Sequence, residues 1–185
     1  MSDRRVKYTK MVLRESLLKL MADKPINKIT IKEICESADV NRGTFYTHYN
    51  DQYDLLKQIQ DEFASEVKEL LSNRPSSEAD SLDMITKVVT YFTEQRSLCK
   101  ILFSDKGDFD FINRLMRNAY DDTLDEWGSN LKNPNPKRLE MIYSFLSNGS
   151  AAVIQKWVFG DMSEPPQDIA RLIMQISKKG ISGFE

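Results

Sequence analysis

The chain has one histidine, two cysteines and seven glycines in 185 residues, and no apolar run long enough to span a membrane. A single histidine excludes a multi-histidine metal centre, and the glycines form no phosphate-cradling loop. Cys35 and Cys99 sit in separate, partly apolar helical patterns, which predicts two reduced, buried thiols rather than a disulfide or metal pair. No segment alternates apolar and polar residues in the manner of a strand. The opening Met-Ser-Asp-Arg-Arg leads into no apolar segment, so no secretory leader is expected, and the location expected is cytoplasmic. No catalytic constellation is present either. Paired acids such as Asp121-Asp122 and Asp125-Glu126 read as a solvated helix face, so the chain is expected not to be an enzyme and to need no cofactor.

What is present is helical periodicity over an apolar content of 41%, enough for a real core, in a length that suits one large domain or two small ones. The net charge of -2 hides an asymmetry. Residues 1–50 carry ten Lys/Arg against six acids, a net of +4, which leaves -6 for the rest. A basic head on an acidic body fits a head that meets phosphate and a body that does not.

The spacing predicts about nine helices and an all-α fold. The first runs from Val6 to Asp23, with Tyr8, Met11, Val12, Leu17, Leu18 and Met21 expected inside, and Pro25 ends it. Thr30, with Glu33 three residues on, reads as a capping box opening a helix from Ile31 to Ala38. Asn41 caps a short helix from Arg42 to about Tyr49, and a long helix follows from Gln52 to about Leu71. Residues 73–80 read as a linker. Five further helices are expected at Ser81–Thr93, Gln95–Phe103, Phe109–Trp127, Pro136–Phe159 and Pro166–Lys178. This organisation predicts a DNA-binding domain over 1–50, a connecting helix over 51–72 and a C-terminal domain over 73–185.

Two short helices joined by a tight break form a helix-turn-helix pattern, and its physical demands are met here. Ala38 is small where the helices approach. Asp39 tolerates the left-handed conformation that such a turn requires. Val40 and Phe45 can plug the core beneath, as can Tyr49. That leaves Asn41, Arg42, Gly43, Thr44, Thr47 and His48 facing outward. Arg42 has the planar fork suited to guanine, Gly43 lets the backbone approach DNA closely, and the polar tips of Tyr46 and His48 suit phosphates.

The run Thr30-Ile31-Lys32-Glu33-Ile34-Cys35, then Ala38 to Tyr49, then Tyr53-Asp54-Leu55-Leu56, resembles the N-terminal domain of the TetR family of transcriptional regulators. The stretch Trp157-Val158-Phe159-Gly160, Ser163-Glu164-Pro165-Pro166 and the final amphipathic helix are similar to one branch of that family's C-terminal domains. The resemblance implies an all-α homodimer whose helix-turn-helix head binds DNA and whose helical body binds a small effector. It carries DNA contact onto Thr30 and Lys32, and onto Asn41, Arg42, Gly43, Thr44, Tyr46, Thr47 and His48. The chain departs from the family pattern twice. Asp39 stands where glycine is usual, and Gln52 where a phosphate-reaching lysine is usual. Gln52 and the helix terminus can still donate to phosphate. One charge is nevertheless lost, which implies weaker and less salt-sensitive DNA binding than in a lysine-bearing relative.

The helix Pro136–Phe159 is apolar on most sides, so it must face both its own core and something else. Its centre, with Asn148, Gly149 and Ala152, is small enough for close approach. The last helix offers Ile169, Leu172, Ile173 and Ile176. Two such helices from each subunit would make a four-helix dimer interface. Tyr91, Phe103, Phe111, Tyr120, Trp127 and Tyr143 are the candidate lining of an effector pocket, and the scarcity of charge among them points to an apolar or aromatic effector. The expected function is a ligand-responsive repressor released from a near-palindromic operator, with no membrane partner. The alternative is an interaction or ligand-binding module of the same fold, with little DNA affinity, acting through a partner regulator.

Overall fold

The computed structural model describes residues 2–72, 77–106, 108, 110–119 and 135–182. Within them the regular structure is helical: α1 (Ser2–Asp23), a 3₁₀ turn (Ile26–Lys28), α2 (Ile31–Ala38), α3 (Arg42–Tyr46), α4 (Gln52–Leu70), α5 (Glu78–Glu94), α6 (Arg96–Leu102), α7 (111–119), α8 (Pro136–Phe159) and α9 (Pro166–Ser182). Contacts divide the chain into two units, Met1–Ala64 with Ile101–Phe109, and Ser65–Lys100 with Asp110–Glu185.

In the first unit α1 and α3 both pack on α2. The inner face of α1 differs from the one the apolar residues suggest. Leu13, Leu17 and Met21 are fully buried, and Thr9 and Ser16 share their face, while Tyr8 (62% exposed) and Met11 (46%) point to solvent. The reason is angular. Residues 9, 13, 17 and 21 repeat at i+4 along one stripe, and Tyr8 and Met11 fall off it. Thr9 can occupy the stripe because its hydroxyl donates to the Arg5 carbonyl at 3.0 Å, which satisfies it locally.

The first unit is closed by a segment far away in sequence. Phe103 meets Phe63 of α4 edge-on, with ring centroids 5.9 Å apart. The Ile26 N–H donates to the Lys106 carbonyl at 2.7 Å, and the Lys106 ammonium donates to the Ala22 carbonyl. The end of α1 and the loop after it thus each share one hydrogen bond with Lys106, some eighty residues downstream.

In the second unit α9 packs on α5 and on α8. Lys178 pairs with Glu78 between α9 and α5. The α8–α9 corner is tight. Asp161 and Met162 take positive φ values of 67° and 53°, the Met162 N–H donates to the Trp157 carbonyl at 3.0 Å, and the Trp157 indole donates to the Glu164 carbonyl at 3.0 Å. A Cβ at Gly160 would lie 2.9 Å from the Lys156 carbonyl, so only glycine fits without a shift. The Asp161 carboxylate accepts from Lys100 at 3.0 Å and Arg96 at 2.8 Å, and these two cations hold its carboxyl below the usual range. No helix among the described residues is long and apolar enough to cross a membrane.

Both cysteines are free and buried, and burial pushes the Cys99 thiol up to about 12. Gln60 is less expected. It lies on the buried side of α4, only 6% exposed, and its Nε2 has no hydrogen-bond partner among the described residues. An orphaned buried donor costs about 1–3 kcal/mol. Gln60→Met keeps the shape and removes the amide, so it is expected to raise the urea midpoint of unfolding, by up to about 1–2 kcal/mol in stability; a lower midpoint would show that the amide is satisfied.

Candidate nucleic-acid interface

The head's local geometry begins at Thr30, whose extended backbone (φ -104°) opens α2. The Glu33 N–H donates to the Thr30 hydroxyl oxygen at 3.3 Å, and the Thr30 N–H donates to the Glu33 carboxylate at 2.9 Å, which completes a reciprocal capping box. Glu33 also pairs with Lys24. Bonding from Lys24 first, then from the Thr30 N–H and hydroxyl, brings the Glu33 carboxyl from 4.5 down to about 2.

α2 ends at Asp39 in the left-handed conformation (φ 52°, ψ 45°), and its N–H returns to the Cys35 and Glu36 carbonyls. Asn41 then caps α3, its Oδ1 accepting from the Thr44 N–H at 2.7 Å and the Thr44 hydroxyl at 3.1 Å. A Cβ on Gly43 would lie 3.2 Å from that same oxygen, so the absence of a side chain there protects the cap as well as thinning the outer surface. Phe45 is fully buried and stacks with buried Tyr49 at 5.6 Å, which anchors α3 from beneath.

The outward side is therefore well defined. Asn41, Arg42, Gly43, Tyr46 and Thr47 are exposed, as are Thr30 and Lys32; Thr44, His48 and Gln52 are half-buried. These ten residues lie along α2, α3 and the start of α4. Several have internal duties too. The Thr47 hydroxyl donates to the Thr44 carbonyl at 2.5 Å, and Lys32 lies 3.7 Å from Glu36. Arg42 makes no ion pair among the described residues, although its charge lowers the Cys35 thiol against the upward push of burial. Asp51, beside Gln52, caps α4 by accepting from the Asp54 N–H at 2.8 Å. Asp54 in turn accepts from the Asn50 N–H and amide, which hold its carboxyl below the ordinary range.

The other candidate residues divide. Phe111 and Tyr143 are buried in the second unit, where the Tyr143 hydroxyl donates to the Arg117 carbonyl and ties α8 to α7. Tyr91 is half-buried, its ring 6.2 Å from that of Phe92. Phe103 belongs to the first unit, against Phe63. Tyr120 and Trp127 lie outside the described residues, as do the acids at 121–122 and 125–126. Of the dimer candidates, Ile169 and Ile173 are buried in the chain's own second unit, while Asn148, Gly149, Ala152, Leu172 and Ile176 are exposed. Met141 and Phe145, apolar residues of the same helix outside the named dimer candidates, are 71% and 72% exposed on α8. Their i, i+4 spacing, continued through Asn148 and Ala152, was the available signal.

The comparisons with known proteins bear on this geometry. Residues 13–59 match the family described as bacterial regulatory proteins, tetR family, and residues 79–179 match a transcriptional regulator C-terminal region. The chain belongs to the TetR family. Both matched models describe regulatory proteins. It is 24% identical over 172 residues to the uncharacterised HTH-type transcriptional regulator YxbF of Bacillus subtilis (strain 168), a match covering 89% of this chain and 43% of that protein. The chain thus spans under half the length of that relative. The fold is similar to that of a TetR transcriptional regulator from Streptococcus agalactiae 2603V (TM-score 0.72, 19% identity, 95% of this chain and 97% of that one). It is also similar to the dihydroxyacetone kinase operon activator DhaS (TM-score 0.63, 18% identity, 96% and 98%).

The capping box yields a test in acid. Glu33 binds a proton more weakly in the folded chain than in the unfolded one, so its stabilisation is present above about pH 4.5 and is lost as pH falls towards 2. Glu33→Gln is expected to flatten the acid limb of the stability–pH curve in that window, read by circular dichroism. Thr30→Ala is expected to cost about 1 kcal/mol at neutral pH.

Proposed function

We propose that the chain is a ligand-responsive repressor that binds a near-palindromic operator as a homodimer and leaves it when a small effector binds the C-terminal domain. The observation that carries the reading is the capped α3 beyond a left-handed turn. It presents Arg42, Gly43 and Thr47 outward, with Tyr46 beside them (58% exposed). A helix of this kind enters the major groove by its N-terminal residues, where an arginine fork can bond guanine O6 and N7. Repression requires only that the operator be occupied, which a groove-reading head and a dimer accomplish without further machinery.

The dimer is read from α8 and α9. Met141, Phe145, Asn148, Gly149 and Ala152 on α8, with Leu172 and Ile176 on α9, form exposed stripes that a second copy would cover. Two heads must then present their recognition helices ~34–36 Å apart to meet successive major grooves. An effector that favours a different spacing releases the operator by shifting the population. The buried aromatic residues Phe111 and Tyr143 support an apolar or aromatic effector.

The decisive assay is salt-titrated binding to the DNA flanking the chain's own gene. Binding should be tight and fall steeply with salt, because phosphate contacts release counterions. Arg42→Ala is expected to cost about 1–3 kcal/mol of operator binding and to relax preference at one base position. No binding at low salt by a confirmed dimer would instead support a module acting through a partner regulator.

The interface has a separate test. Sedimentation at micromolar concentration should show a dimer, and Phe145→Glu with Ile176→Glu should leave a folded monomer. A dimer that survives both changes would remove these stripes from the interface.

A further inference from the structure

Three threonines stand among the candidate contacts of the head, and each spends its hydroxyl proton inside the protein. Thr30 donates to the Glu33 carboxylate at 2.9 Å. Thr44 donates to the Asn41 Oδ1 at 3.1 Å, and Thr47 donates to the Thr44 carbonyl at 2.5 Å. A threonine hydroxyl has one proton to give. None of the three therefore keeps a donor for a base edge or a phosphate. Each keeps an oxygen that can accept, and a methyl group.

Of the three, Thr47 is placed to use the methyl. Thr30 belongs to the start of α2, and Thr44 is half-buried. Thr47 is exposed, and its N–H donates to the Gly43 carbonyl at 3.2 Å, which sets the two residues one turn apart on the same face of α3. Gly43 carries no side chain, so nothing precedes Thr47 along that face. Arg42 and Tyr46 share the neighbouring stripe by the same spacing, and both are exposed. The Thr47 hydroxyl is turned back onto the backbone of α3, and the stiff branch at Cβ then leaves the methyl as the outer group. Thr47 lies roughly 7–8 Å along the helix axis from Arg42, about two base-pair steps at ~3.4 Å each. In the major groove thymine is the base that presents an apolar group, its C5 methyl, and a threonine methyl is suited to meet it.

We infer that Thr47 reads a thymine through its methyl group, about two base pairs from the guanine bonded by the Arg42 fork. Each half-site then combines one position read by hydrogen bonds with one read by apolar contact. This rests on the regulator reading above and gives that reading the composition of its half-site.

The test uses the full chain and the duplex it protects in the DNA flanking its own gene, with each thymine replaced in turn by deoxyuridine. That replacement removes the methyl and keeps the base pair. Wild type is expected to lose about fourfold in affinity at one thymine of each half-site, the worth of one buried methyl. Thr47→Val keeps the methyl and removes the hydroxyl, so it should bind as wild type does and lose the same fourfold. Thr47→Ser keeps the hydroxyl and removes the methyl, so it should start about fourfold weaker and be indifferent to that deoxyuridine. Melting curves check that both variants keep the fold, and the deoxyuridine series on wild type decides the matter even where a variant melts early. A series in which no thymine matters overturns the inference. So does a Thr47→Ser as sensitive to deoxyuridine as wild type, or a Thr47→Val that loses binding while Thr47→Ser keeps it, which would assign the contact to the hydroxyl. Wild type that binds no DNA overturns the regulator reading and the inference together. A flat thymine series beside an Arg42→Ala that loses operator preference overturns the inference alone.

Discussion

The head depends on one backbone reversal. Asp39, at φ 52° and ψ 45°, turns the chain between α2 and α3, and a capping side chain opens each helix: Thr30 before α2, Asn41 before α3. Neither helix is long enough to be stable alone, at eight and five residues. Their existence rests on caps and on buried Ile34, Cys35 and Phe45 beneath. The strain of a non-glycine residue in the left-handed region is borne because the Asp39 N–H returns to two α2 carbonyls. The outward aim of Arg42 follows from that turn and would be lost with it.

Local features of this kind are legible in sequence because their causes are local. The capping box, the Asn41 cap, the left-handed Asp39 and the burial of Phe45 and Tyr49 each follow from residue types within four positions of one another. The register of α1 was less legible. Tyr8 and Met11 are apolar enough to look internal, while Thr9 and Ser16 are polar enough to look external, and the self-satisfied Thr9 hydroxyl reverses that ranking. The third case is long range. Nothing about Phe103 or Lys106 in sequence indicates that they complete the first unit, because no periodicity connects them to Ala22, Ile26 or Phe63. Phe103 consequently looked like a body residue, and its ring instead packs within the head unit.

The second unit shows how an apolar helix distributes its surfaces. α8 gives Tyr143, Leu146, Ile154, Trp157 and Val158 to its own core, and still exposes Met141, Phe145 and Phe159. α9 does the same, with Ile169 and Ile173 inward and Leu172 and Ile176 outward. Composition alone showed that these helices had apolar surface in excess. Only the packing separates the residues committed to the chain from those left for another surface.

The closure of the first unit by residues 101–106 also sets an order of events during synthesis. The ribosome delivers residues 1–64 long before Phe103 and Lys106 emerge, and the partners of Ala22 and Ile26 lie 84 and 80 residues downstream. Until then the loop after α1 has water in place of those contacts, and the Phe63 ring lacks its stacking partner. The head thus reaches its final form only after α5 and α6 have been made. A nascent chain consequently carries an incompletely closed head for several seconds at translation rates of about 5–20 residues per second.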